Sequence, residues 1–119
     1  MNLPHGEALH FAKKVLQKSS QQLEVLCIFP CNPTLAMCLE GASQSCVGFD
    51  NSKEVKIAFL STAKNIKRLK PLTQRRYIFH ITLTLTLGNY YAYSFYASKE
   101  TTQEKVIEGE FTLMIKENR

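Results

Sequence analysis

One apolar helical segment, followed by a long series of β-type segments, limits the folds open to this sequence more than any other feature. Pro30 and Pro33 keep the residues before them out of the helical region. After them, Thr34 or Asn32 can cap a helix that runs to about Val47. The apolar stripe of this helix consists of Leu35, Cys38, Leu39, Ala42, Cys46 and Phe49. Further apolar residues flank the stripe, so we expect the rest of the protein to surround the helix.

Most of the remaining sequence alternates between apolar and polar residues, which is typical of strands. The segment 22–29 reads as a strand, and a short helix over roughly 7–17, with or without a continuation into a strand, precedes it. Further alternating residues are Val55, Ile57 and Phe59; Phe79, Ile81, Leu83, Leu85 and Leu87; Tyr91, Tyr93, Phe95 and Ala97; and Ile107, Gly109, Phe111, Leu113 and Ile115. Gly88-Asn89 predicts a two-residue hairpin turn. We predict one α+β domain over residues 1–119, with an antiparallel sheet curled around the helix.

The composition narrows the class of protein further. A hydrophobic fraction of 45% and a charged fraction of 21% are ordinary for a globular domain. No apolar run is long enough to span a membrane, and the N-terminus lacks the pattern of a secretory signal, so we expect a cytoplasmic protein. The four cysteines lack the spacing of metal sites, and we expect buried thiols and no metal. Cys46, near Glu40 in the sequence, is the candidate for a reactive thiol.

Four segments, "LPHGEALHFAKKVL", "FPCNP", "LEGASQ" and "AFLSTAKNIKRLKPL", stand in an order that resembles the hotdog-fold superfamily. The whole chain is most similar there to the 3-hydroxyacyl-ACP dehydratases. The resemblance implies a long central helix wrapped by a curved antiparallel sheet of about five strands. It also implies a homodimer, or a higher oligomer, whose interface holds a tunnel for the acyl chain. Glu40 stands at the position of the helical catalytic acid of that family.

The sequence departs from the dehydratase pattern at its catalytic base. Ile28 stands before Phe29, where these enzymes have a histidine, and an aliphatic side chain cannot transfer the proton. The Pro-Gly at the helix entry is absent, and Leu72, Thr73 and Gln74 replace the Pro-Gly-Asp of a later loop. We therefore do not expect standard dehydratase activity.

Two functions are compatible with Glu40 in the absence of the catalytic histidine. In the first, the chain is similar to hotdog thioesterases: Glu40 faces an apolar tunnel and activates water, Gln44 orients the water or the carboxylate, and backbone N–H groups at the helix start stabilise the oxyanion. The residues expected to bind the substrate near this site are Phe29, Leu35, Ala36 and Met37. In the second, Glu40 is a structural polar group, and the protein binds acyl thioesters without turnover.

A basic segment over residues 64–76 completes the predicted site. Lys67, Arg68 and Lys70 are expected to meet the phosphates of coenzyme A or the acidic surface of an acyl carrier protein near the tunnel entrance. The ligand would then be a coenzyme A or phosphopantetheine thioester, with no bound cofactor. Nucleic-acid binding through this segment, with stacking on the tyrosines at 90, 91, 93 and 96, is the third and least favoured hypothesis.

Overall fold

The computed structural model describes residues 11–47 and 56–117, which form one helix and six strands. The elements are β1 Ala12–Lys18, β2 Gln22–Ile28, α1 Leu35–Val47, β3 Lys56–Arg68, β4 Arg76–Leu87, β5 Tyr90–Lys99 and β6 Lys105–Glu117. Within the described ranges, no helix is both long and apolar enough to cross a membrane.

All six strands belong to one antiparallel sheet, in the order β1-β2-β4-β5-β6-β3. The prediction of α+β architecture is confirmed, but the sheet has six strands and not about five. The additional strand is β1, in the region where a helix over 7–17 was predicted; residues 7–10 lie outside the described ranges. Residues of β1 pair with β2 in three short stretches separated by two register shifts. This pairing, which a local apolar spacing cannot reveal, overrides the weak helical preference of the segment.

The helix packs against the sheet through a narrow face of small residues. Cys38, Ala42 and Cys46 of the predicted stripe are buried, and Gly41 and Ser45 are buried beside them. A side chain at Gly41 would press on the ring of Phe29, since an added Cβ would lie 3.3 Å from its Cζ atom. The small face therefore lets the helix lie close to β2.

The helix is shorter and less enclosed than predicted. It has 13 residues, and Leu35 at its start is 40% exposed in the single chain. Phe49, the last residue of the predicted stripe, lies outside the described ranges. The other side of the helix, which includes Ala36 and Glu40, is also exposed. The expectation of a long helix surrounded on all sides is therefore wrong for the part of the chain that the structure describes.

The sheet face toward the helix forms a continuous aromatic core. Successive ring contacts, with centroids 4.8 to 6.2 Å apart, connect Phe11, Phe29, Phe79, Phe95, Phe111 and Tyr93. Strand β6 supplies Ile107, Phe111 and Leu113 to this core, as its alternation predicts.

Strand β3 extends further than the sequence pattern indicates. It continues to Arg68, so the first part of the predicted basic loop at 64–76 is strand and only residues 69–75 connect to β4. A bulge between Lys64 and Lys67 makes this possible, with Asn65 at a φ of 56°. A residue with positive φ shifts the register locally, and asparagine tolerates that conformation better than most residues.

Candidate functional site

Glu40 and Gln44 lie one turn apart on the exposed side of α1. The Gln44 Nε2 group donates a hydrogen bond to Glu40 Oε2 at 3.1 Å. Residues at positions i and i+4 of a helix are neighbours, so this contact follows directly from the sequence spacing. The two residues predicted to be catalytic are therefore in contact.

The oxygen of the same Gln44 amide group contacts the start of β1. Gln44 Oε1 accepts hydrogen bonds from the backbone N–H groups of Phe11 at 2.6 Å and Ala12 at 3.3 Å. The carbonyl oxygen of Phe11 in turn accepts from the N–H of Ile28 at 2.9 Å. Three consecutive hydrogen bonds thus connect Glu40 to position 28, where the dehydratases carry their histidine.

The surroundings of Glu40 differ from the apolar tunnel that the resemblance implies. In the described part of the chain, the Glu40 side chain is exposed to solvent, and its hydrogen-bond partner is Gln44. Desolvation of this carboxylate consequently requires a surface beyond the residues that the structure describes.

The start of the helix offers two backbone N–H groups beside this exposed side. Thr34 caps the helix: its Oγ1 accepts from the N–H of Met37 at 3.1 Å, and its carbonyl oxygen accepts from Cys38 at 3.0 Å. The predicted cap at Thr34 is confirmed, and it occupies one of the three N–H groups expected to bind the oxyanion. The N–H groups of Leu35 and Ala36 have no acceptor among the described residues, and both residues are exposed.

Phe29, predicted to bind substrate, is a core residue. Only 2% of it is exposed, and its ring lies 4.8 Å from that of Phe11. Phe29 and Ile28 also border a surface cavity of about 540 Å³. The other residues around this cavity are Gln74, Arg75, Arg76, Glu100 and Thr101.

At this cavity, Arg76 binds Glu100 through two hydrogen bonds, of 2.8 and 3.1 Å. The guanidinium holds the pKa of the exposed Glu100 carboxyl below its usual value. The paired guanidinium is therefore already neutralised by a carboxylate.

The three basic residues predicted at the tunnel entrance do not form one cluster. Lys67 borders a cavity of about 460 Å³ on the sheet face away from the helix, together with His80, Tyr96 and Glu108. Arg68 ends β3 and is exposed, with no carboxylate within 4 Å among the described residues. The bulge in β3 sets the Lys67 side chain on this outer face. The contact of these residues with a carrier near a tunnel entrance stays a prediction.

Lys70, the third of these residues, is already paired. It lies 3.7 Å from Glu104, whose other oxygen contacts Lys99 at 3.0 Å. These two ammonium groups hold the pKa of the Glu104 carboxyl below its usual value. Exposed pairs of this kind contribute little to stability, but they reduce the positive charge available to an anionic ligand.

The outer face of the sheet contains a polar network that no sequence motif predicts. His80 Nε2 lies 3.0 Å from Ser98 Oγ, and His80 Nδ1 lies 3.6 Å from Glu24 Oε2. Burial lowers the pKa of His80, and the nearby Glu24 charge opposes that shift only in part. Ser98 is 1% exposed, so this carboxylate–imidazole–hydroxyl arrangement gives no substrate access to the serine. Cross-strand register, which the sequence does not reveal, brings the three together.

Two of the four tyrosines named for a nucleobase platform are not available for stacking. The Tyr96 ring stacks on His80 at 4.3 Å, and Lys105 Nζ lies 4.5 Å from its centroid. Tyr93 is 5% exposed in the core. The proposed stacking surface is therefore occupied at Tyr96 and buried at Tyr93.

Three of the four cysteines are core residues. Cys27, Cys38 and Cys46 are buried, and Cys31 is exposed. Burial raises the pKa of Cys27 and Cys38 to about 12, and it raises that of Cys46 still further above its usual value. A neutral, buried thiol is a poor nucleophile, so the structure argues against a reactive Cys46. Among the described residues, no group of three or more potential metal ligands occurs.

Comparison with known proteins identifies the fold. No protein-family model matches the sequence, and no curated protein matches it. Solved structures do match: the dehydratase heterocomplex ApeI:P from Xenorhabdus doucetiae superimposes with a TM-score of 0.74 at 12% identity, over 98% of this chain and 88% of that one. Thioesterase HI1161 from Haemophilus influenzae gives a TM-score of 0.66 at 12% identity, over 87% and 78% of the two chains.

A third similar structure is the HP0420-homologue from Helicobacter felis. It gives a TM-score of 0.64 at 18% identity, over 87% of this chain and 88% of that one. The predicted resemblance to hotdog-fold proteins is confirmed by these neighbours. The chain has a hotdog fold, with one short helix packed on a six-stranded antiparallel sheet.

Proposed function

We propose that this protein binds an acyl thioester between two copies of the chain and hydrolyses it with Glu40 as general base. The observation that carries the proposal is the contact between Glu40 and Gln44 on α1. The first residues of the same helix, Leu35 and Ala36, are exposed, and their backbone N–H groups have no acceptor among the described residues. A base and two oxyanion donors on the same surface are what water attack on a carbonyl needs.

The reaction needs no group beyond these and a water molecule. Glu40 takes a proton from water while the water oxygen attacks the thioester carbonyl carbon. The carbonyl oxygen gains the negative charge, which the N–H groups of Leu35 and Ala36 stabilise. The carbon–sulfur bond then breaks, the carbonyl re-forms, and the proton held by Glu40 goes to the leaving sulfur. The products are a carboxylic acid and a free thiol.

A second copy of the chain would supply the cover that Glu40 lacks. Strands β1 and β3 are the two edges of the sheet. Strand β1 has three lysines in seven residues, which discourages pairing with another strand. The run 57–63 within β3 has no charged residue. We therefore expect β3 to pair with β3 of a second copy, extending the sheet and covering the helix surface.

Sedimentation of the protein at micromolar concentration tests this assembly. A dimer gives twice the chain mass of 13.6 kDa. A protein that stays at 13.6 kDa leaves the carboxylate uncovered and rules out an interfacial site.

The acyl-thioester class is supported by the fold neighbours and by the sequence motifs together. One neighbour is named as a thioesterase and another as a dehydratase complex. At 12% identity these likenesses concern the fold, so the ligand class is our inference. We propose coenzyme A or an acyl carrier protein as the carrier, with exposed Arg68 as its contact. Lys67 is a weaker candidate, because its side chain lies on the sheet face away from Glu40.

Hydrolysis of an acyl-CoA panel by wild type and E40Q tests the activity. We expect free thiol release by wild type and a loss of at least about 100-fold in E40Q, because the amide cannot accept the water proton. E108Q makes the same change on the outer face and is the matched control. Equal activity of wild type and E40Q excludes Glu40 as the base.

The alternative proposal is an acyl-thioester-binding protein without turnover. Ile28 at the position of the dehydratase histidine favours it, as does the exposure of Glu40. Saturable binding of acyl-CoA by wild type, without thiol release, would select this function over hydrolysis. Nucleic-acid binding is less well supported, because carboxylates already pair with Lys70 and Arg76 in the basic segment.

A further inference from the structure

The first peptide units of β1 determine which way the Gln44 side-chain amide faces. The N–H groups of Phe11 and Ala12 both point at one atom of that amide, at 2.6 and 3.3 Å. Only the carbonyl oxygen of an amide accepts hydrogen bonds, so Oε1 must lie toward β1. Reversing the amide would place an NH₂ group against two N–H donors.

This orientation sends the NH₂ group of Gln44 to the carboxylate of Glu40. The donor and acceptor are 3.1 Å apart. An exposed glutamate otherwise exchanges among several rotamers, which removes a catalytic group from its working position for much of the time. A hydrogen bond from a fixed donor selects one of those rotamers.

The peptide that fixes the amide is itself held by the sheet and the core. The carbonyl oxygen of Phe11 accepts from Ile28, the last residue of β2, at 2.9 Å. The Phe11 ring is 4% exposed and packs against Phe29. The direction of the Gln44 amide is therefore set by the sheet, 33 residues away in the chain, and not by the helix alone.

We propose that Gln44 is a positioning residue, and that the start of β1 belongs to the site because it fixes the Gln44 amide and, through it, the Glu40 carboxylate. This inference rests on the proposed hydrolysis for its functional meaning. Gln44 does not transfer a proton in this scheme; it holds the group that does.

Two substitutions of Gln44 separate positioning from folding. Q44M keeps the shape of the side chain but removes both its acceptor and its donor. We expect kcat for acyl-CoA hydrolysis to fall about 10- to 100-fold, with KM changed less than about 3-fold, because Glu40 is misplaced while the binding surface remains.

Q44E keeps an acceptor for the two N–H groups of β1 but places a second carboxylate beside Glu40. Two carboxylates this close do not ionise together readily. We expect the acid limb of the kcat profile to move to higher pH in Q44E. Q17E adds the same charge at an exposed position of β1, and it should leave kcat and its pH profile unchanged.

A measurement without substrate keeps this inference separate from the proposed function. Three-bond NMR couplings of the Glu40 side chain should show one rotamer in wild type and averaging in Q44M. Amide hydrogens of Phe11 and Ala12 should exchange about 10-fold faster in Q44M, with wild-type rates in Q17E.

The outcomes distinguish failure of the proposed hydrolysis from failure of the positioning role of Gln44. If wild type releases no thiol from any acyl-CoA, the proposed hydrolysis fails, and the couplings alone decide whether Gln44 fixes Glu40. If E40Q is inactive while Q44M retains wild-type kcat and unaltered couplings, hydrolysis stands and the positioning role is overturned.

Discussion

Leu83 and Leu85 of β4 are two residues apart in the chain, yet they lie on opposite faces of the sheet. Leu83 pairs with Tyr93 and packs against the core, whereas Leu85 pairs with Ala92 and is 60% exposed. The register shift between them adds one residue, and a shift by one residue reverses the faces of those that follow. The regular alternation of β4 is therefore divided between two surfaces.

Substitutions on the two sides of this bulge should differ sharply in their effect on stability. Ile81 is 1% exposed, so I81A should lower the free energy of unfolding by about 2–5 kcal/mol. L85A removes a similar side chain from the exposed face and should change it by less than about 0.5 kcal/mol. Urea unfolding followed by circular dichroism measures both. Similar losses in the two variants would mean that the alternation is continuous after all.

Much of the fold follows from local patterns in the sequence. The period-two segments predict β2 and the inward row of β6, and the proline turn with Thr34 predicts where α1 begins. The bulges in β3 and β4 are not visible in that way, because each depends on which residue of a neighbouring strand is opposite. The same limit explains β1, whose strand character comes from pairing with β2.

The contacts of the candidate site were likewise predictable only where they are local in the sequence. The spacing of Glu40 and Gln44 predicts their contact, since residues four apart are neighbours on a helix. The contact of Gln44 with Phe11 joins residues 33 positions apart, and no local pattern specifies it. The exposure of Glu40 in the single chain could not be predicted either, because an acid within an apolar segment gives the same pattern whether it is covered or exposed.

Gly109 is required by the bulge in β3. An added Cβ at this position would overlap Ile66 Cδ1, and it would lie 3.3 Å from the Phe95 ring. We expect G109A to destabilise the protein by about 1–3 kcal/mol through overpacking. Thermal or urea unfolding measures the loss.

The double variant I66A/G109A shows whether Ile66 is the cause. Removing the overlapping side chain should reduce the cost of G109A relative to I66A alone. Some cost should remain, because the added Cβ would still lie 3.2 Å from the Cα atom of residue 66 and 3.3 Å from the Phe95 ring. An unchanged cost of G109A in the I66A background would assign the strain to the backbone instead.

The burial of three cysteines predicts a simple labelling pattern. In the native protein, an aromatic disulfide reagent should react quickly with one thiol per chain, that of exposed Cys31. The remaining thiols should react only on unfolding. C31S should abolish the fast phase, and C46A should leave it intact.

C46A also tests whether the Cys46 thiol takes part in thioester hydrolysis. Loss of a small buried group should reduce the free energy of unfolding by about 1 kcal/mol without changing thioester hydrolysis. A folded C46A protein that has lost activity would restore the reactive-thiol hypothesis.

His80 should make the free energy of unfolding depend on pH, at pH values above those at which carboxylates titrate. Burial lowers its pKa below the usual 6.5, so the unfolded chain binds a proton more readily than the folded one. The free energy of unfolding should therefore fall as the pH drops through 6.5, and the fall should end below the pKa of the folded state. Denaturation midpoints measured between pH 7.5 and 5 follow this change.

Two variants assign that pH dependence to His80. H80Q removes the titrating group and should flatten the profile in this window, whatever its effect on absolute stability. E24Q removes the carboxylate that partly stabilises the charged imidazole, so the pKa of His80 should fall further and the loss of stability should extend to lower pH. A wild-type midpoint that stays constant or rises on acidification to pH 5.5 would show that the imidazole is readily protonated within the folded sheet.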